Sequence, residues 1–318
     1  MAHILLSGSL AYDRIMVYPG YFKDNFLPDK LHAINVSFYI PRQVEHYGGT
    51  AGNIAYNLAL LGERPEPIAS VGKDFLKYKA YLDEKGVNTS LIQIQSDLPT
   101  ACAYIITDQA DNQISAYYPG ASSAPYLHKS IPNELETMGV VSAGCLDDIR
   151  TLPGLFRERG TPFLFDPGQS LSALAGEDIM NGIEGAEAVF ANDYEFQLIC
   201  SKTGWSETDI VQKANVLVVT LGGEGSRVVT REGELRVPVV PAETVKDPTG
   251  AGDAYRAGYI KGLLSGKEPS DCARLGSAVA VYAVEAEGTQ EHTFTLEDVS
   301  RRYVTTYGTD PGIIANTK

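Results

Sequence analysis

The stretch Asp247-Pro248-Thr249-Gly250-Ala251-Gly252-Asp253-Ala254-Tyr255 carries the residue types that phosphate chemistry needs. Proline and two glycines stand just before a helical pattern, Arg256-Ala257-Gly258-Tyr259-Ile260 and then Leu263-Leu264, which Gly266 could end. Small residues let a backbone turn tightly and bring bare N–H groups up to a ligand. The first N–H groups of a helix have no internal partner, and the helix dipole adds partial positive charge, so this start is an anion site suited to phosphate. Asp253 falls in the first helical turn, beside that site. It either complements the dipole or serves as a general base that takes a proton from an attacking hydroxyl. A carboxylate in a phosphate site would otherwise repel its ligand.

Other phosphate motifs fail. Gly262-Leu263-Leu264-Ser265-Gly266-Lys267-Glu268 is one residue short of a P-loop and ends in Glu. A dinucleotide fingerprint starting at Gly250 would need glycine where Tyr255 stands, which disfavours a dehydrogenase. The 318 residues carry 26 Lys and Arg against 40 Asp and Glu, a formal charge of −14. That balance argues against a nucleic-acid surface, which needs clustered cations. An anionic substrate would have to be held by local dipoles and a metal. The amino terminus lacks a basic region and a long apolar run, and no run approaches the ~20 residues of a membrane span. The four cysteines form no CxxC, so a reduced, cytoplasmic chain without zinc or disulfides is expected.

The elements that must position this chemistry show a rhythm. Apolar runs at Val140–Gly144, Phe163–Asp166, Ala188–Asn192 and Val216–Thr220 start about 25 residues apart, as strand, crossover helix and next parallel strand require. Their continuous apolarity predicts strands buried on both faces, with Ile4–Ser7 as another. The fold class is α/β with a mostly parallel central sheet. Two segments alternate with period two instead: Ile34–Ile40, and Ala101–Tyr118 around the polar turn Asp108–Asn112. They predict a small separate sheet, either an outlying flap or a lid. An edge hairpin is expected at Arg227–Thr230 and Leu235–Val240, a helix at Ile54–Leu61 stopped by Gly62, and a core helix over Gly276–Val284.

DPTGAGDAY, with Gly48-Gly49-Thr50-Ala51-Gly52-Asn53 upstream, resembles the ribokinase-type (PfkB) family of sugar and nucleoside kinases, closest to its bacterial adenosine kinases. SGSLAYDRIM near the start, YYPG at 117–120, NDYE at 192–195, SKTGWSE at 201–207, TLGGEGS at 220–226 and EGTQE at 287–291 extend the resemblance over nearly the whole chain. It implies a Rossmann-like three-layer body, residues 1–12, 47–98 and 120–318, with a discontinuous β lid, residues 13–46 and 99–119. It implies that Asp253 is the catalytic base, that the amides of Gly250, Ala251, Gly252 and Asp253 form the anion hole, and that Mg²⁺ accompanies ATP.

Each further residue has a local reading beside the implied one. Gly48 and Gly49 give a sharp turn, and Asn53 offers both a donor and an acceptor, suited to a ribose diol or to a helix cap. Asp13 after the first strand is a cap, a solvated carboxylate or, by the resemblance, the ligand of the ribose hydroxyls; Ser9 lies in the same loop. Asn192 and Glu195 read as a capped helix start or as the family's pair that organises Mg²⁺ through water. Thr220, Gly222 and Gly225 form a plain turn or the approach to the nucleotide. Asp247 and Thr249 are implied K⁺ contacts. Tyr117 would stack on the purine and Gln169 would read its edge or a ribose hydroxyl. Ala103, where an aromatic is expected, and Ser170, where a second amide is expected, open the base pocket. The resemblance thus implies phosphorylation of the adenosine 5′-hydroxyl. Acceptance of inosine, guanosine or free ribose by the same machinery stays open, as does a non-catalytic nucleoside-binding regulator, which would have no use for the base. A homodimer through the lid, as in some relatives, is a further implication.

Overall fold

The computed structural model describes residues 3–26, 32–33, 35–110, 112–127, 131 and 137–314. Its large sheet has eight strands. In chain order they are β1 (His3–Ser7), β4 (Arg64–Ile68), β9 (Thr137–Ser142), β10 (Phe163–Asp166), β11 (Ala188–Asn192), β12 (Leu217–Thr220), β13 (Ser226–Thr230) and β14 (Gly233–Val237). The spatial order is β14-β13-β12-β11-β10-β9-β1-β4. Every pair from β12 to β4 is parallel, and β13 and β14 close one edge as the expected antiparallel hairpin. The hairpin stops at Val237 rather than Val240, because Pro238 has no N–H to continue the ladder.

Two separate apolar clusters explain the unbroken hydrophobic runs. Ile4, Leu6, Leu164, Phe190 and Val218 point to one face; Leu5, Phe163, Phe165, Val189 and Val219 point to the other. The first face is covered by α1 (Thr50–Leu60), α2 (Leu76–Glu84), α7 (Ala251–Leu264), α8 (Pro269–Val284) and α9 (Leu296–Tyr307). The second carries α3 (Leu146–Arg159), α4 (Gly176–Ile183), α5 (Asp193–Thr203) and α6 (Glu207–Lys213). The result is the expected three-layer α/β body. Helix α8 contains the predicted core helix, and Gly266, at φ +68°, follows the end of α7. Helix α1 begins four residues before the predicted Ile54, so Asn53 sits in its first turn and Gly49 occupies the cap.

A four-stranded sheet stands apart, with β2 (Ala11–Val17), β3 (Arg42–Gly48), β7 (Ala101–Thr107) and β8 (Gln113–Tyr118) in the order β3-β2-β7-β8. Two short strands, β5 (Ser70–Gly72) and β6 (Gln93–Gln95), pair separately. The turn between β7 and β8 falls where predicted, although its Asp111 lies outside the described residues. The alternating segment at 34–40 does not form the expected strand. Ile34 lies outside the described residues, and residues 35–40 have no ladder. Phe38 instead packs its ring against Tyr18 and Phe22, with centroids 4.9 and 5.2 Å away, and Pro41 separates it from β3. Phe38 is thus half-buried in an aromatic cluster rather than in a sheet.

Candidate active site

The loops after β1, β9, β10, β11 and β12 leave one edge of the large sheet, the carboxyl ends of its parallel strands, where open α/β sheets bind ligands. Helix α7 starts at this edge. Gly250 caps it at φ +80°, a left-handed conformation that glycine takes without strain. Ala251 N–H donates to the Pro248 carbonyl at 3.2 Å. The N–H groups of Gly250, Gly252 and Asp253 have no backbone carbonyl partner among the described residues, and Gly252 is exposed. These three amides form a cradle open to the cleft; the fourth predicted member, Ala251, turns its N–H inward.

Asp253 lies half-buried beside this cradle. Burial is the largest influence on its carboxyl and lifts it to about 7, against the opposing effects of the Asn53 amide and the Arg256 guanidinium. Asn53 Nδ2 donates to Asp253 Oδ2 at 2.8 Å, and Gln290 Nε2 donates to Asn53 Oδ1 at 2.9 Å. Both ends of the Asn53 amide are therefore occupied, one by the Asp253 carboxylate. Arg256, one turn further along α7, holds Asp166 at the end of β10.

The small sheet supplies the opposing wall. Its register sets His46, Asp13, Ala103 and Tyr117 in one row across β3, β2, β7 and β8. Residues paired across strands share a face. Asp13 is raised above the usual carboxylate range, chiefly by burial, with His46 lowering it and Asp247 raising it. The Asp13 charge also raises Asp253, so the two carboxylates stand within electrostatic range of each other. Gly48 leaves room for this arrangement: a Cβ there would come within 2.5 Å of Asp13 Oδ2. Ala103 lies directly opposite Tyr117, a residue 52% exposed, so the row has a small side chain beside its one exposed ring.

The remaining predicted residues divide. Ser9 is buried, its Oγ accepts the Thr50 N–H at 3.1 Å, and it fastens the β1 loop to α1 rather than facing the cleft. The Gly49 amide region is equally packed: a Cβ there would meet the Ser9 carbonyl at 2.5 Å. Asn192 and Glu195 form a reciprocal capping box at the start of α5, with bonds of 2.7 and 2.8 Å. Glu195 is raised, mainly by burial, and senses both Asp166 and Arg256, so it too belongs to this edge. Gln169 is exposed in the turn after β10. Thr220 ends β12. Gly222 is open to solvent at φ +56°, whereas a Cβ on Gly225 would strike the Val237 carbonyl, so Gly225 serves the hairpin. Asp247 accepts N–H groups from Thr249 at 2.9 Å and Gly288 at 3.2 Å, tying the α7 approach to the 287–291 loop.

Among the described residues no group of three or more His, Cys, Asp or Glu side chains could hold a metal. Asp166 is spent on Arg256 and one Glu195 oxygen on the capping box. That donor set fits a cation carried in on phosphates and keeping its own waters, and does not fit a cage built by the protein. Tyr78, His46, Asp166, Arg256 and Gln290 were not legible as site residues. Only Gln290 carried a signal, as part of EGTQE.

A family model described as pfkB family carbohydrate kinase matches residues 7–295, and the chain belongs to that family. Burkholderia thailandensis nucleoside kinase in complex with inosine is 34% identical, with a TM-score of 0.86 covering 96% of this chain and 99% of that one. The same kinase in complex with ADP-inosine superposes with a TM-score of 0.83 at 35% identity, covering 97% of each chain. The nucleoside kinase of Methanocaldococcus jannaschii is 32% identical over 280 residues, 87% of this chain and 92% of that protein. The α/β body with its smaller sheet is thus a ribokinase-like fold. No helix among the described residues is long and apolar enough to cross a membrane.

Proposed function

We propose that the protein transfers the γ-phosphoryl group of ATP to the 5′-hydroxyl of purine ribonucleosides, inosine as well as adenosine. The observation that carries this reading is Asp253, raised to about 7 beside a cradle of free amides and facing the Asp13 row. The similarity to a nucleoside kinase solved with inosine and with ADP-inosine supports a purine nucleoside acceptor and an adenine nucleotide donor. In the proposed reaction the ribose hydroxyls bind at Asp13 and the base lies against Tyr117. The 5′-oxygen forms a bond to the γ-phosphorus as the bond to the bridging β,γ-oxygen breaks, and ADP leaves with that electron pair. The hydroxyl proton passes to Asp253. The amides of Gly250, Gly252 and Asp253 meet the charge on the phosphoryl oxygens, so catalysis is positioning plus electrostatics. Mg²⁺ on the ATP phosphates would neutralise charge there, with Glu195 reaching it through water.

Ala103 opposite Tyr117 leaves one side of the base without a bulky neighbour, which is why inosine is included. Initial rates of ADP formation across adenosine, inosine, guanosine, cytidine and ribose test the reading. Comparable rates on the purine nucleosides are expected; a preference for ribose would sink it. In parallel, Asp253→Asn should bind nucleoside and lose at least about a hundredfold in turnover. A monovalent-cation site at Asp247 and Thr249 belongs to the same proposal, read as higher activity in KCl than in NaCl.

The face of the small sheet opposite the Asp13 row exposes Tyr104, Ile114 and Tyr118. A second copy of this chain is proposed to cover it. Light scattering of the wild type and of Ile114→Glu checks this: a dimer that becomes a monomer is expected, and a monomeric wild type refutes it.

A further inference from the structure

A chain of side-chain bonds runs from the junction of the small sheet to Asp253. Tyr78 OH donates to the Gly48 carbonyl at 3.0 Å. Gln290 Nε2 donates to Tyr78 OH at 2.6 Å and to Asn53 Oδ1 at 2.9 Å, and Asn53 Nδ2 donates to Asp253 Oδ2 at 2.8 Å. Tyr78, Asn53 and Gln290 are all buried. The space for them is cut by Gly52, where a Cβ would strike the Tyr78 hydroxyl.

The direction of every bond in this chain is fixed from both ends. The Gly48 carbonyl can only accept, so the single Tyr78 proton is spent on it, and the phenolic oxygen must accept from Gln290. With its NH₂ group on that side, Gln290 gives its second proton to Asn53 Oδ1. Asn53 is then left with its NH₂ group toward Asp253, and an ionised carboxylate, at the other end, can only accept. The arrangement leaves Gln290 Oε1 buried with no hydrogen-bond partner. A buried orphan acceptor is unfavourable, so it marks a glutamine held for its amide protons.

We propose that Gln290, seated by Tyr78, is a positioning residue for phosphoryl transfer: it dictates which end of the Asn53 amide faces Asp253. The inference rests on the reading of Asp253 as the base. With the donor end inward, Oδ2 is held and Oδ1 is presented to the cleft as the proton acceptor. With the amide reversed, the Asn53 oxygen would face the carboxylate, and Asp253 would keep a proton to bridge them. The other charged groups around Asp253 are Arg256 on its own helix, Asp166 on β10 and Asp13 on β2, with Glu195 on α5 beside Arg256. None of these touches the Gln290 amide, so a neutral change at residue 290 such as Gln290→Met reaches Asp253 through Asn53, whereas a glutamate there adds its own repulsion.

Gln290→Glu tests this sharply, because an ionised glutamate accepts and cannot donate. The Asn53 amide must then turn its NH₂ group toward residue 290. The expected result is an acid limb of kcat displaced upward by about one pH unit or more, with the nucleoside KM changed by less than about threefold. Gln290→Met should move the limb the same way by less, and Tyr78→Phe, which keeps the ring, reads the same limb if the residue-290 variants fail to fold. A uniform fall in kcat at every pH, with the limb unmoved in the folded variants, would mean a merely structural role and overturn the proposal. Asp253→Asn separates the two levels: full turnover there removes the base itself, while lost turnover with an unmoved limb in Gln290→Glu removes only the relay.

Discussion

Arg256 and Asp166 meet through two parallel bonds, Nε to Oδ2 at 2.7 Å and Nη2 to Oδ1 at 2.9 Å, with both side chains buried. Arg256 lies one turn inside α7, and helical side chains lean back toward the amino end. Its Nη1 accordingly reaches the Gly252 carbonyl at 3.2 Å. The pair joins the end of β10 to the first turn of α7, which carries the open amides of Gly252 and Asp253. A buried ion pair need not add net stability, but removing one partner strands the other charge. Arg256→Met alone or Asp166→Asn alone should therefore cost about 3–5 kcal/mol in urea melts. The double replacement Asp166→Asn with Arg256→Met should cost clearly less than the two single costs together. Additive losses would show that the two charges do not depend on each other.

The pH dependence of activity follows from the site. The proposed role requires Asp253 to be ionised before it takes the hydroxyl proton, and burial lifts it to about 7. kcat/KM should therefore fall tenfold per unit below a midpoint near that value, well above the usual carboxylate range. Arg256 is one of the two influences that pull Asp253 down. Where Arg256→Met remains folded, its midpoint should move up. A wild-type limb near pH 4 would show that the base is solvated or is another group.

The same shift makes a statement about stability. A carboxyl whose folded pKa is raised binds its proton more tightly in the native state. Its contribution is therefore present below the unfolded value, near 3.8, and is lost as pH rises through about 7. Asp253→Asn removes the penalty of ionising in a buried site. That variant should be more stable than the wild type at pH 8, by up to about 4 kcal/mol. The difference should shrink through pH 6 and be gone near pH 4. Paired thermal melts at the three pH values check the trend; a constant offset would assign it to packing.

The sequence was legible where chemistry or burial is local. Continuous runs such as Ile4-Leu5-Leu6 announce strands covered on both faces because alternate residues enter different cores. Gly250 and Asp253 announce a glycine-capped helix start with open amides beside a carboxylate because all of these lie within four residues. The partners of Asp253 were not legible in this way. Asn53 and Gln290 are 237 residues apart, and Asp166 and Arg256 are 90 apart, so only the meeting of α1 with the 287–291 loop and of β10 with α7 brings each pair together. The segment at 34–40 was misread because alternation records that one side is buried, not what buries it. Phe38 meets rings where a strand would meet a ladder.

Two glycines with positive φ should respond differently to alanine, and the difference separates scaffold from approach. Gly49 has φ +88°, and a Cβ there would lie 2.5 Å from the Ser9 carbonyl oxygen and 2.8 Å from Ala11 N. Neither backbone atom can swing aside as a side-chain tip could. Gly49→Ala should lose the fold, or melt far below the wild type, and activity should fall with the amount of folded protein. Gly222 has φ +56° and nothing within 4 Å of a built Cβ. Its replacement should cost only the left-handed strain, about 1–2 kcal/mol. If the turn after β12 is where the nucleotide approaches, the methyl group of Gly222→Ala occupies that space, and KM for ATP should rise while KM for the nucleoside stays put. An unchanged KM for ATP, in a variant destabilised by the expected amount, would take the turn at 222 out of the nucleotide site.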